Sequence, residues 1–371
     1  MPIPAGPVTI SYDYDPLQRL TAADYSTGEF YHYTYDSVGN RLTEITNEDS
    51  TTYVYDSANR LTSAGGVTYV FDANGNLLSD GQNSYAYDSA NRLTSMNGSS
   101  GSFTYGYNGL GDRLVQNGVH YTLDLNTGLT QILSDGTTTY LYGLGRIAQT
   151  DGAGNEYFLG DALGSVRQLA DDTGTVTLAK FYAPYGETIY SAGAGQTSYG
   201  FTGETTDANG LVYLRARYYE PGDGRFLSRD VWEGDYQQPM SYNSWLYVYE
   251  NPVNLTDSSG YCPGPKNDSD TCWQLLLQIE SQYDFIDLQS ELTTDNYWTY
   301  DELLNIQKDL ERFNIASGIG LTTLYPEDVK LQRVRETRIS GDIAVCGFTY
   351  RFFTKGRPIK IYDTWSDGCL I

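Results

Sequence analysis

The chain has 371 residues, a formal net charge of −24 and an unusual wealth of tyrosine, 35 Tyr against 12 Phe. That length allows two or three domains, and an acidic chain is repelled by phosphate backbones, which argues against nucleic-acid binding through the tyrosine-rich part. No apolar run of about 18 residues occurs, so no transmembrane helix is expected, and the start MPIPAGPVTI lacks the basic and apolar regions of a signal peptide.

Between residues 12 and 114 one phrase recurs six times, as SYDYDPLQRLT, YTYDSVGNRLT, YVYDSANRLT, YVFDANGNLL, YAYDSANRLT and YGYNGLGDRL. Its anchor aromatics, Tyr14, Tyr35, Tyr55, Phe71, Tyr87 and Tyr107, are spaced 21, 20, 16, 16 and 20 apart. Such self-similarity predicts a repeat architecture. In YxYD the two aromatics lie two apart and share one face of a strand. The Asp opens a turn by accepting turn amides, Gly39 or Gly75 supplies a positive φ, and Arg-Leu-Thr begins the return strand. Each unit therefore reads as a β-hairpin with tyrosine as its main buried surface. A lone hairpin is marginal; stacked hairpins bury one another's aromatic faces.

After residue 115 the spacing loosens, and Tyr140 with Tyr142 reads as a degenerate repeat. Four blocks follow: YFLGDALGSVRQLADDTGTV (157–176), FYAPYGE (181–187), FTGETTDANGLVYLRARYYEPGDGRFLSRD (201–230) and LYVYENPVNLTDSSG (246–260). Composition changes near 261. Residues 1–261 carry a net charge of −18 and 29 of the tyrosines; residues 262–371 carry −6 and all four cysteines.

The repeats, with LGSVR (163–167), RARYYEPGDGRFLSRD (215–230) and YENPVNLTDSSG (249–260), resemble the bacterial Rhs/YD-repeat family and its Rhs-associated core. The resemblance spans roughly residues 10–261. It implies a YD-repeat β-strip over 1–156, an Rhs-associated core over 157–261 and a variable C-terminal domain from 262 to 371. Members of that family wind the strip into a shell and cut the chain just after the core, releasing a C-terminal toxin. By motif, the cut would use Asp230 and Asp257 as an aspartic-type pair and Arg217 to orient a carboxylate, and would fall between Tyr261 and Cys262. Two carboxyl groups suit this chemistry because one can act as base on water while the other serves as acid. The family's Asp-Pro-x-Gly is here Asp257-Ser258-Ser259-Gly260, which loosens the turn, and the segment EGDYQQPMS lengthens the interval between the two aspartates.

In the tail, 271–292 reads as helical, and Thr299 with Glu302 forms a capping box before the apolar face Leu303, Ile306, Leu310 and Phe313. The runs 329–338, 342–353 and 358–365 alternate like strands, so the tail reads as a small α+β domain. Its cysteines form no CxxC pair and no His lies in it, so no metal or cofactor is expected. WTYDELLNIQKDLERF and PIKIYDTW faintly resemble the leading half of metallopeptidase-like domains that follow Rhs cores, but no HExxH occurs in this chain.

The fold expected is mainly β, with stacked YD-repeat hairpins forming a curved sheet or partial shell, followed by the α+β domain. The function expected is a scaffold that carries and self-releases its own C-terminal domain. By resemblance the protein acts outside the cell or at its surface, and an immunity protein and secretion machinery would be its partners. Two alternatives stay open: a non-cleaving adhesive surface protein whose exposed tyrosines stack on carbohydrate, and a truncated relic. Open edge strands would favour self-association.

Overall fold

The computed structural model describes residues 8–261 apart from 127–128, 144, 153, 233 and 235–237, together with 263–264 and six two-residue strands after residue 296. The chain divides into a larger unit, Met1–Asn108, Asp112–Asp124 and Gln131–Cys272, and a second unit made of the remainder.

The larger unit is a succession of antiparallel meanders, mainly β as the repeats imply. Seven strands run in sequence order from Ile10–Tyr14 to Val67–Thr68, seven more from Val70–Phe71 to Val119–His120, and eight from Thr122–Asp124 to Thr188–Gly193. None closes into a barrel, since each ladder ends on strands with one neighbour. A small four-stranded sheet follows, Thr205–Thr206, Val212–Leu214, Arg217–Glu220 and Arg225–Phe226.

Each repeat is built from its turn outward. The carboxylate of Asp36 accepts the amides of Val38 and Asn40, both at 2.9 Å, and Asp56 and Asp88 do the same two and four residues on. The residue three after the aspartate has a positive φ whether it is glycine, as at Gly39 and Gly75, or Gln18, Asn59 and Asn91. Asparagine tolerates that conformation better than most residues. Past the turn every hairpin carries a bulge, which the sequence did not announce. Tyr55 pairs with Leu61 but Val54 with Ser63, so Thr62 is skipped, and the same shift recurs opposite Tyr14, Tyr35, Phe71, Tyr87, Tyr107 and Tyr142. The bulge adds twist and re-aims the residue beside it.

The aromatic pair shares one face, as the spacing predicts. Tyr33, Tyr53, Tyr85, Tyr105 and Tyr140 are buried, and the partner two residues later is half-buried. Only Tyr14, Tyr157 and Tyr242 are exposed tyrosines among the described residues. The rings supply the core, as the reading of tyrosine as the main buried surface predicts. The small sheet is buried on both faces. Leu211, Tyr213, Tyr218 and Leu227 pack with Leu77, Leu93, Met96 and Phe103 of the second meander. The alternating residues Val212, Leu214, Tyr219 and Phe226 pack with Phe201, Tyr247 and Val248. A strand covered on both faces reads as a continuous apolar run, which explains the buried run LVYL at 211–214.

In the second unit Tyr297–Trp298 pairs with Thr337–Arg338, Asp342–Ile343 with Lys360–Ile361, and Trp365–Ser366 with Gly368–Cys369. Three of these strands lie within the runs read as strands. The expected helices, and the readings placed on Cys262, Cys272 and Cys346, lie outside the described residues. Among the described residues no helix is long and apolar enough to cross a membrane.

This packing separates two leucines. Leu93 is fully enclosed, whereas Leu42 sits at the skipped bulge position and is 38% exposed. Leu93→Ala is expected to lower unfolding free energy by about 3 kcal/mol, and Leu42→Ala by less than about 0.5 kcal/mol, as measured by urea titration.

Candidate carboxylate site

The two-residue turn between Val212–Leu214 and Arg217–Glu220 is made by Arg215 and Ala216, with Arg215 in the left-handed region at φ 59°. This turn aims Arg217 inward, where its guanidinium Cζ lies 3.6 Å from the Phe226 ring centroid. One guanidinium then serves four oxygens. Its Nη2 is 2.7 Å from Asp230 Oδ2 and 3.7 Å from Asp257 Oδ2, its Nη1 donates to the Ser244 carbonyl at 3.0 Å, and its Nε donates to the Gly260 carbonyl. Arg217, Asp230 and Asp257, the last two 27 residues apart in sequence, thus meet at one point.

The two carboxyl groups have different surroundings. Asp257 is 1% exposed, and its Oδ1 accepts the amides of Gly260 at 2.8 Å and Tyr261 at 3.1 Å and the Ser259 hydroxyl at 3.0 Å. Asp230 accepts the Trp232 amide at 2.9 Å. Burial pushes the Asp230 carboxyl up to about 6, with Asp257 adding to the rise and Arg217 and the Trp232 amide opposing it. The site therefore pairs the Asp230 carboxyl, raised by burial, with the Asp257 carboxyl, which accepts two amides and a hydroxyl.

The segment after Asp257 is tied down at several points. The Thr256 and Gly264 backbones exchange two 2.9 Å hydrogen bonds and close a loop that carries Tyr261. Arg215 Nη1 donates to the Ser258 carbonyl at 2.6 Å while ion-paired with Glu204 at 2.6 Å, and the Ala216 amide donates to the Ser259 carbonyl. Gly260 has φ 75°, and a Cβ there would overlap the Leu214 carbonyl. Arg215 and Glu204 were not anticipated from sequence; the alternation Arg-Ala-Arg was the available signal. Tyr261 is half-buried, and Cys262 lies outside the described residues. Among the described residues no cluster of three or more His, Cys, Asp or Glu could hold a metal.

With this geometry in hand, comparison with known proteins is informative. The teneurin YD-shell family profile matches residues 5–254. The chain belongs to the teneurin YD-shell family. Within it, the tRNA3(Ser)-specific nuclease WapA of Bacillus spizizenii is 32% identical over 277 residues, covering 67% of this chain and 12% of that protein. Toxin subunit YenC1 of Yersinia entomophaga is 35% identical over 113 residues, 29% of this chain and 11% of that protein. Human Teneurin-4 is 25% identical over 366 residues, 84% of this chain and 13% of that protein. This YD-shell chain thus spans about an eighth of the length of these relatives. The Photorhabdus luminescens Tc holotoxin pore superposes with a TM-score of 0.39 at 21% identity, over 71% of this chain and 18% of that one.

A second acidic group lies at the far end of the strand that begins with Arg217. Glu220 is pushed up to about 8, chiefly by burial and then by the charge of Asp223. Asp223 is pushed up to about 6 by burial, opposed by the Tyr69 hydroxyl and Arg41. A carboxyl whose folded pKa is raised binds more protons folded than unfolded, so its stabilising contribution is present at low pH and lost as pH climbs through the folded value. Carboxyls lowered by turn hydrogen bonds, such as Asp56, Asp80 and Asp88, act oppositely and lose theirs only below about pH 4. The melting temperature is expected to peak near pH 5 and to fall toward pH 9, and Glu220→Gln should flatten the upper half of that decline, as read by calorimetry across pH.

Proposed function

We propose that this YD-shell scaffold carries a C-terminal cargo, from residue 262 onward, and releases it by aspartic-type hydrolysis of the Tyr261–Cys262 bond. The observation that carries this reading is the single Arg217 guanidinium spanning Asp230, Asp257 and the Gly260 carbonyl. In the proposed reaction a water attacks the Tyr261 carbonyl carbon while Asp257, positioned by its amide donors, takes the water's proton. Asp230, protonated near pH 6, gives its proton to the Cys262 nitrogen as the C–N bond breaks. The products are a Tyr261 carboxylate and a Cys262 amine. Arg217 orients Asp230 by a charge-assisted hydrogen bond and Asp257 by the longer 3.7 Å ion pair, and the Thr256–Gly264 bridge and Arg215–Glu204 pair hold the loop for attack. Serine at 258 in place of the family's proline is offset by the Arg215 bond to its carbonyl.

The relatives called nuclease and toxin subunit support a toxin-like cargo, and export to the cell surface or beyond, with an immunity partner, belongs to the same proposal. The tail's chemistry is left to the cargo. The carbohydrate-binding alternative loses support because the repeat tyrosines face the core.

Intact mass under denaturing conditions tests the reading. Two fragments meeting at Tyr261–Cys262 are expected from the full chain, with cutting slowed about 100-fold or more in Asp230→Asn and in Asp257→Asn. Gly260→Ala, which displaces the loop against Leu214, should slow it by about 100-fold as well. An uncut wild-type chain across pH 4–8 would overturn the proposal.

A further inference from the structure

The six repeats are not equivalent once aligned on their turns. The residue five after the turn-opening Asp or Asn pairs with the second aromatic of the motif and points into the core. In four repeats it is leucine, Leu20, Leu61, Leu77 and Leu93. In the second and sixth it is arginine, Arg41 and Arg113. The cause is a single extra residue before the Arg-Leu pair: Asp36-Ser-Val-Gly-Asn-Arg41 and Asn108-Gly-Leu-Gly-Asp-Arg113 against Asp56-Ser-Ala-Asn-Arg60. Because strand faces alternate, a one-residue slip exchanges inside for outside. Arg60 and Arg92 stay about a third exposed while Arg19 is covered, and all three pair with their own turn aspartates at 2.6–2.7 Å; Leu42 is pushed into the open.

The two buried arginines are not satisfied within the repeats. Arg113 and Asp207 are 0% and 1% exposed and 2.8 Å apart; Arg113 Nη1 also donates to the Tyr218 hydroxyl at 2.7 Å, and its Cζ lies 4.3 Å from the Tyr213 ring centroid. Arg41 has its Cζ 3.9 Å from the Tyr185 centroid, and a Cβ on Gly224 would overlap its guanidinium. Its Nη1 contacts Glu44 at 3.2 Å, while Nε and Nη2 have no hydrogen-bond partner and face aromatic rings instead. Asp207 follows the first strand of the small sheet, Tyr213 and Tyr218 lie on its two central strands, and Gly224 lies in the turn before its last strand. Arg146 occupies the matching place opposite Tyr142, donating to the Gly203 carbonyl at 2.9 Å. The small sheet returns the contact, with Arg225 donating to the Asn59 carbonyl at 2.7 Å.

We propose that Arg41 and Arg113 form a docking code: the repeats in which Arg-Leu is delayed by one residue mark where the small sheet seats on the repeat strip. A leucine at that place gives cohesion without direction. A buried guanidinium is costly unless it finds partners, and the seated sheet brings the Asp207 carboxylate and the Tyr213 and Tyr218 rings to Arg113 and the Cβ-free Gly224 to Arg41. The proposal does not depend on self-cleavage, since its readout lies wholly before Tyr261.

Hydrogen exchange on the full chain tests it. Deletion of Gly39 turns YDSVGNRLT into YDSVNRLT, the pattern of YDSANRLT that the fold already accepts twice, and moves Arg41 outside with Leu42 inside. Arg41→Leu installs the residue used by the other repeats without altering register. Arg113→Leu combined with Asp207→Leu removes a buried pair without stranding a charge, a change that costs little where the pair is only core filling. In each variant, protection over 212–220 and 225–227 is expected to drop about 100-fold while 50–55 and 84–97 hold their protection. Unchanged protection of the small sheet, or an equal loss in sheet and strip, would reduce the arginines to ordinary core residues and sink the proposal.

Discussion

An aspartate carboxylate that accepts the amides two and four residues later governs the register of the repeat hairpins. By holding the turn it fixes which residue stands fifth, and through the bulge which residue is skipped. Everything on the inner face follows from that count. The tyrosine pairs stack along one side because their strands start in phase. The fifth residue, leucine or arginine, lands between them. A turn built on a weaker acceptor would let the strand slip, and a slip of one would turn the apolar face to water.

Tyrosine suits this architecture better than phenylalanine would. Its ring fills the inner face, and in two repeats its hydroxyl ties one hairpin to the one before, Tyr35 donating to the Leu20 carbonyl and Tyr107 to the Leu93 carbonyl. The same rings accept buried guanidinium groups. A core of this kind can hold charge, and it does so where the small sheet seats. Purely aliphatic repeats would have no means of placing Arg41 or Arg113 inside.

The carboxylate site depends on that seating. Arg217 projects from a hairpin covered on both faces, so its two-residue turn and the packing on either side set its position together. Asp230 and Asp257 reach it from irregular segments held by backbone bonds to Ser244 and Gly264. Water is largely excluded, which is why burial dominates the protonation of Asp230. Membership of the YD-shell family fits this plan of a repeat strip ending on a buried module.

Much of the fold was legible in the residues. Alternation in YxYD, the turn aspartate and the glycine or asparagine at positive φ are local signals, and hairpins are local structures. The meeting of Arg217, Asp230 and Asp257 was expected only through resemblance, because nothing in a sequence brings together groups 27 residues apart. The bulges escaped notice because they leave no residue type of their own. The inward arginines were readable as a spacing of five rather than four from the turn, yet identical letters in Asn-Arg-Leu concealed the shift. What the amino-acid order determined by itself was each hairpin, its buried face and its turn. Which face meets which, whether an arginine is solvated or sealed in, and which carboxyl keeps its proton were decided by tertiary packing, since burial and its electrostatic consequences arise only when distant segments exclude water together.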